Sequence, residues 1–197
     1  DLESISRGQP LWRSDYNCFP EATAESTQDH SYGIQHWLPI QGSMIRGWSL
    51  YDTYESRCAL SPGMENGLVA KTEPEWLQIK ANVIQAQRCK KYFFGDYYPL
   101  THAQRDPAAW TAYHLYLPGT QEGMILAMRR EKSDVRQMTC DFLTVDPAKQ
   151  WKFEDYDSGE SWVVDGRRIR EAGFTIEIPN RRDSRLIFYS IERASTP

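Results

Sequence analysis

Phe174-Thr175-Ile176-Glu177-Ile178 decides how the second half of this 197-residue chain is read. Phe174, Ile176 and Ile178 alternate with Thr175 and Glu177. Successive side chains of a strand point to opposite faces, so this is a strand with one buried and one wet face. Outward from it, Thr111–Leu117, Met124–Arg129, Gln137–Leu143, Gln150–Asp155, Ser161–Val164 and Leu186–Ile191 are further candidate strands at short spacing. Pro118-Gly119, Asp157-Ser158-Gly159, Asp165-Gly166 and Pro179-Asn180 supply turns between them, and Val164-Asp165-Gly166-Arg167 predicts a type I′ hairpin. Seven or so strands in about 90 residues predict an antiparallel β-sandwich over residues 106–197.

Before residue 106 the pattern is different. A helix is predicted from Lys71, with Pro74 at its first position, Glu73 and Glu75 at the positive end, Lys90-Lys91 at the negative end and Gly95 as its stop. Leu77, Ala81 and Ile84, widened by Trp76, Ile79 and Val83, form a stripe expected to cover a sheet or barrel. The apolar stretches Pro10–Trp12, Ile34–Ile40 and Tyr54–Leu60 read as strands alternating with longer crossovers. The expected fold class is therefore α/β over residues 1–105 followed by an all-β module.

Composition narrows the function classes. At 40% hydrophobic and 25% charged residues the chain is globular, and its formal charge of -4 gives no electrostatic reason for a nucleic-acid partner. The pairs Arg129-Arg130, Arg167-Arg168 and Arg181-Arg182 are expected on solvated loop or strand faces. No apolar run approaches the roughly 18 residues of a membrane-spanning helix, so no membrane partner is predicted. Cys18, Cys58, Cys89 and Cys140 include no Cys-x-x-Cys pair and read as buried thiols. His30, His36, His102 and His114 lack metal-ligand spacing, so a His-based metal site is not expected. The chain opens at Asp1 without a Met, a basic n-region or an apolar h-region, which reads as a piece of a longer protein.

The start of the chain carries the candidate chemistry. With Pro10–Ser14 as a strand, Leu11, Arg13 and Asp15 share one face, and Trp12, Ser14 and Tyr16 share the other. A carboxylate at the C-terminal end of a barrel strand lies where such folds do their chemistry. The alternative reading is an Asp that caps the next turn or pairs with Arg13.

Several stretches together resemble the α-galactosidases (melibiases) of glycoside hydrolase family 36. Asp1-Leu2-Glu3 with Pro10-Leu11-Trp12-Arg13-Ser14-Asp15-Tyr16 resembles the segment carrying that family's acid/base aspartate. Trp37-Leu38-Pro39, Tyr54-Glu55-Ser56-Arg57 with Pro62-Gly63, and Phe94-Gly95-Asp96-Tyr97-Tyr98-Pro99-Leu100 resemble its last barrel strands and the exit to its C-terminal domain. Residues 123–130 and 151–159 resemble its β-sandwich. The resemblance implies residues 1–105 as the C-terminal segment of a (β/α)8 barrel, which needs about 250 residues when complete. It also implies a retaining mechanism on terminal α-linked galactose without a metal or organic cofactor, with Asp15 as general acid/base and the nucleophilic aspartate upstream of Asp1. Trp12 and Arg13 are the accompanying candidates for substrate contact.

Three readings stay beside this one. The sandwich could be a non-catalytic carbohydrate-binding or assembly module, with Trp151 as its glycan platform. The parent enzyme could prefer an α-N-acetylgalactosaminide. A homo-oligomer could form, because an incomplete barrel exposes apolar strand edges. Packing is the expected role of Trp76, Trp151 and Trp162, while Trp12 and Trp37 on expected barrel strands are open to sugar stacking. Asp52, Glu55 and Arg57 could line the cleft, with structural pairing as the alternative.

Overall fold

The computed structural model describes residues 22–38, 42–45, 52–66, 70–102 and 105–193. It is a mixed α/β protein with mostly antiparallel sheets and two compact units, residues 1–94 with 103–105 and residues 95–102 with 106–197.

In the first unit helix α1 spans Ala24–Gln35, strand β1 Gly42–Ile45, helix α2 Thr53–Cys58, strand β2 Gly63–Asn66 and helix α3 Glu73–Lys90. Each helix begins at a residue that satisfies its first free N–H groups. Thr23 and Ser26 exchange bonds in a capping box at α1, Asp52 accepts from Tyr54 N and Glu55 N at α2, and Thr72 and Glu75 form a second box at α3. Pro74 sits at the second position of α3 rather than the first, since Glu73 opens the helix. β1 and β2 pair in parallel with Gly42 against Gly63 and Met44 against Glu65, and α2 lies between them in sequence. Parallel neighbours cannot be joined by a tight turn, so a β-α-β crossover is the connection this pairing requires.

The expected strand Tyr54–Leu60 is helical over its first residues, within α2, and the expected strand Ile34–Ile40 opens with the last two residues of α1 followed by a turn, its residues 39–40 lying outside the described ones; the Thr23 and Asp52 caps fix helical starts that a short apolar run does not reveal. The expected stripe on α3 is also displaced. Ile79, Asn82, Gln85 and Cys89 are its buried residues, whereas Trp76, Leu77 and Ile84 are exposed.

In the second unit β3 (Asp96–Pro99), β4 (Trp110–Leu117), β5 (Glu122–Arg129), β7 (Gln150–Asp155), β8 (Ser161–Asp165) and β10 (Asp183–Ile191) form one antiparallel sheet. Its strand order is β3-β4-β5-β10-β7-β8. β6 (Gln137–Cys140) and β9 (Phe174–Glu177) pair separately. Their inward residues Cys140, Phe174 and Ile176 join Ile125, Trp151, Phe153, Ile187 and Tyr189 of the large sheet in one core. The alternation of Phe174 and Ile176 with Thr175 and Glu177 appears as expected, apolar in and polar out. Removing a single large member such as Phe153 costs about 3–5 kcal/mol, since the cavity adds to the lost transfer energy. Gly123 is required where β5 passes Tyr189, because a Cβ there would collide with the Tyr189 ring and the Leu115 carbonyl.

Asp165-Gly166 is not a hairpin turn. The Asp165 side chain accepts from Arg167 N and caps helix α4, Gly166–Ala172, which carries the chain from β8 to β9. Gly166 is demanded by space and not by a left-handed backbone, since a Cβ would strike the Asp146 carbonyl. Among the described residues the glycines with positive φ are Gly159 (φ 70°) in the β7–β8 turn and Gly173 (φ 78°), whose N–H returns to Ile169 O at the end of α4.

Arg129 and Arg130 are also unlike their expected solvated placement. Both are buried, at 3% and 1% exposure. Arg129 donates to the carbonyls of Ile178, Pro179 and Ser133, and Arg130 donates to Asp106 O and Thr111 Oγ1. A buried guanidinium is tolerated where its forked donors meet acceptors, and turn carbonyls supply them here. Arg167, Arg168 and Arg181 are exposed as expected.

Candidate functional site

Parallel α/β arrangements place ligand chemistry beyond the carboxyl ends of their strands. In the first unit those ends are Met44-Ile45 of β1 and Glu65-Asn66 of β2, which are register partners, Met44 with Glu65 and Ile45 with Asn66. A glutamate and an asparagine thus stand at a strand end beside its parallel neighbour. The sequence reading missed them, although Pro62-Gly63, at the start of the strand, was a usable boundary signal.

Polar side chains pin the helices that flank these strands. Gln28 Nε2 of α1 donates to Tyr54 Oη at 2.7 Å and to Cys58 Sγ at 3.1 Å, and Ser31 Oγ donates to the Cys58 carbonyl at 3.0 Å. Between α2 and α3, Arg57 donates through Nε (2.9 Å) and Nη2 (2.7 Å) to Gln85 Oε1, and Gln78 Nε2 donates to Thr53 Oγ1 at 2.9 Å. Arg57 is 2% exposed, so it is a buried tie between two helices. Asp52 is spent on its cap and Glu55 lies in the first turn of the same helix. Structural pairing therefore accounts for Asp52 and Arg57, the alternative weighed against a cleft role. Burial pushes the Cys89 thiol up to about 12 despite the neighbouring Arg57 and Arg88 charges, so it stays protonated and unreactive.

Asp15, Trp12 and Arg13 lie outside the described residues, as do Cys18 and Trp48. Trp37 is in a turn after α1 and is 88% exposed, so it is not on a barrel strand. Cys58, Cys89 and Cys140 are buried free thiols, in agreement with the sequence reading.

The second unit offers no aromatic platform where one was considered. Trp151 is completely buried and its Nε1 donates to the Asp146 carbonyl, so it cannot stack on a glycan. Trp110 is likewise buried and donates to Val135 O. Trp162 stacks on Phe153 and lies under the Arg185 guanidinium. Beside it is an open cleft of about 360 Å³ lined by Asp155, Ser158, Glu160, Glu177, Asp183 and Arg185 among others. Its central carboxylate is already satisfied: Asp155 Oδ2 accepts from Arg185 Nε at 2.6 Å, and Oδ1 accepts from Ser158 N and Oγ. Burial alone would raise the Asp155 carboxyl, but the Arg185 and Ser158 bonds outweigh it and hold it below the usual range. Among the described residues no group of three or more His, Cys, Asp or Glu could hold a metal ion, and no helix is long and apolar enough to cross a membrane.

No protein-family model matches the chain, and no curated protein sequence matches it. Solved structures do. The galactosidase domain of the α-galactosidase-sucrose kinase AgaSK superposes with a TM-score of 0.65 at 12% identity, over 89% of this chain and 26% of its own. The family 36 α-galactosidase AgaB of Geobacillus stearothermophilus gives 0.65 at 16% identity over 89% of this chain and 25% of its own. A variant of AgaA from the same organism, in complex with raffinose, gives 0.67 at 14% over 88% and 25%. The fold is one found within family 36 α-galactosidases. At such identities the likeness establishes the fold alone, and the chain spans about a quarter of each neighbour's length.

Proposed function

We propose that the chain is the C-terminal part of a retaining glycoside hydrolase that releases terminal α-linked galactose from oligosaccharides. The single observation that carries this reading is the superposition of 88–89% of the chain on family 36 α-galactosidases. It agrees with a resemblance drawn independently from the order of the sequence motifs. In this reading residues 1–105 are the last β/α units of a (β/α)8 barrel and residues 106–197 an antiparallel sandwich domain that closes the fold.

Asp15 is assigned as general acid/base. It protonates the glycosidic oxygen as a carboxylate nucleophile, supplied from outside these 197 residues, attacks the anomeric carbon. It then removes a proton from the water that releases the sugar. In retaining pairs the two carboxyl groups stand about 5–5.5 Å apart, so the nucleophile's negative charge raises the pKa of the acid. Trp12 and Arg13 are assigned to the substrate side of the same strand. The raffinose bound to one neighbour is an α-galactoside, which supports an oligosaccharide of that class as substrate.

The alternative of a carbohydrate-binding sandwich loses its main support with the burial of Trp151. The test is Asp15→Asn in the protein that carries this chain together with the nucleophile. Hydrolysis of melibiose should fall by a factor on the order of 10³ or more, while an activated aryl α-galactoside with a good leaving group loses less because it needs no acid. Azide should rescue turnover of the aryl substrate and give the α-galactosyl azide, since azide attacks the glycosyl-enzyme without a general base. Undiminished melibiose hydrolysis by Asp15→Asn would refute the assignment.

A further inference from the structure

Glu65 is out of place for the strand that holds it. β2 reads Gly-Met-Glu-Asn over Gly63–Asn66 and pairs in parallel with β1. Parallel strands are covered by helices and read as apolar runs, and glutamate and asparagine are depleted in them. The other carboxylates described in the first unit are all on a helix or its cap. Glu25, Asp52, Glu55, Glu73 and Glu75 stand at a cap or in a first turn, where the helix dipole favours negative charge, and Asp29 lies within α1. Among the described residues of that unit, Glu65 is thus the one carboxylate on a strand. A local rule broken in this way is the mark of a functional position more than of a structural one.

The pleat assigns each end residue to a face. Gly42, Met44, Gly63 and Glu65 share one face of the β1–β2 pair, and Ser43, Ile45, Met64 and Asn66 share the other. Ile45 and Met64 give the second face the apolar bulk that a covering helix layer requires. A charge under such a layer loses its hydration, whereas a neutral amide at a strand end loses much less. Of the two faces, the one that holds Glu65 is therefore matched to the open side of the strands.

We propose that Glu65 is a sugar-recognition residue, its carboxylate accepting hydrogen bonds from two neighbouring hydroxyls of the α-galactoside. This assignment rests on the glycosidase reading given above, in which the carboxyl ends of the barrel strands form the mouth that receives substrate. Glu65 is the penultimate residue of β2 and stands at that end. An ionised carboxylate offers about four acceptor sites and no donor, which suits a ligand whose rim is made of hydroxyl donors. Its bonds are charge-assisted and so are the stronger kind. No proton moves in this role: Glu65 binds, while Asp15 and the nucleophile carry the chemistry.

The test uses Glu65→Ala, Glu65→Gln and Asn66→Ala in the protein that carries this chain together with the nucleophile. Glu65→Ala should raise KM for melibiose roughly tenfold or more, a quantity that does not depend on how much of the enzyme is folded. Glu65→Gln keeps one carbonyl acceptor and should recover part of the loss. Asn66→Ala, on the other face, should change KM by less than about twofold. The inhibition constant of free galactose identifies which sugar supplies the hydroxyls. If it rises in step with KM, they belong to the galactosyl unit; if it stays put while KM for melibiose rises, they belong to the leaving sugar. Either result supports the assignment. An unchanged KM in Glu65→Ala, or a loss that follows Asn66 instead, overturns it and leaves the glycosidase reading standing. A parent protein that hydrolyses no α-galactoside overturns both.

Discussion

Lowering the pH from 7 to 5 should destabilise the second unit through one residue, His114. Its ring is 1% exposed, stacked on Tyr98 at 4.7 Å between centroids and tilted against Phe142 at 4.5 Å, with Nδ1 3.0 Å from Tyr189 Oη. Burial is the cause that drives its pKa from 6.5 down to about 3. The sign follows from the neutral form being the native one. The unfolded chain takes up a proton as pH falls below 6.5 and the folded chain does not, so the stability is fully present above 6.5 and is lost progressively towards 3. At pH 5 the gap of 1.5 units from 6.5 corresponds to roughly 2 kcal/mol, rising to a ceiling of about 5 kcal/mol below pH 3. The Asp155 carboxyl, held below its ordinary 3.8, acts only further down: its contribution is present above the unfolded value and is lost below about pH 4. The window from pH 6.5 to 4.5 therefore isolates the histidine. Urea denaturation at pH 7, 6 and 5 should show the loss in the native chain, and His114→Phe should flatten the slope even though it is less stable at pH 7 for want of a partner for Tyr189. The folded-state His114 imidazole signals should show no titration above pH 4. A His114 that titrates near 6 in the folded protein, or a slope unchanged in His114→Phe, would refute the account.

Gly166→Ala should cost about 2 kcal/mol or more, because the new methyl meets the Asp146 carbonyl and lies 2.8 Å from Lys149 O, both of them backbone atoms that cannot swing away. A thermal melt within a degree of the native chain would contradict that. Arg129→Met removes the donor shared by three carbonyls, and the orphaned acceptors outweigh the relief of a buried charge, for a net loss of about 3 kcal/mol by chemical denaturation. Arg129→Lys should recover only part of this, since an ammonium lacks the planar fork. Thr72→Ala breaks the capping box at α3 and should lower stability by about 1 kcal/mol, visible as fraying of Glu73–Trp76 in amide exchange. All three effects should be separable from catalysis.

How legible the sequence was depends on which physical signal each segment carried. β7 begins and ends where the alternation of Trp151 and Phe153 with polar residues places it, because a half-buried strand prints its period directly into the chain. β9 is as clear for the same reason. Ile34–Gln35 and Tyr54–Cys58 were opaque, since a few apolar residues fit a strand or a buried helical turn equally well and the deciding atoms are cap oxygens on Thr23 and Asp52. Asp165-Gly166 misled because the dipeptide serves two local structures. An aspartate before a glycine favours a hairpin when the glycine takes a positive φ, and a helix start when the carboxylate reaches a following N–H; here Asp165 accepts from Arg167 N and the helix starts. Arg129-Arg130 misled in the same way, since no local pattern announces that the turn at Ile178-Pro179 will turn its carbonyls toward them.

Buried polar side chains tie segments together in both units: Arg57 to Gln85, Gln28 to Tyr54, Arg129 to the turn after β9. Such groups are spent on structure and hold no spare valence for a ligand. The second unit follows the same rule, for the cleft beside Trp162 has Asp155 held by Arg185 and Ser158, and its tryptophans are packed or capped by protein. If residues 1–105 are barrel units, chemistry is expected at the carboxyl ends of the parallel strands, where Glu65 and Asn66 stand and where the reading of Pro10–Ser14 as a strand also puts Asp15. The second unit has an aromatic core. Its variants, including Arg129→Met and Gly166→Ala, should change the stability of a catalytically competent parent protein before they change its KM.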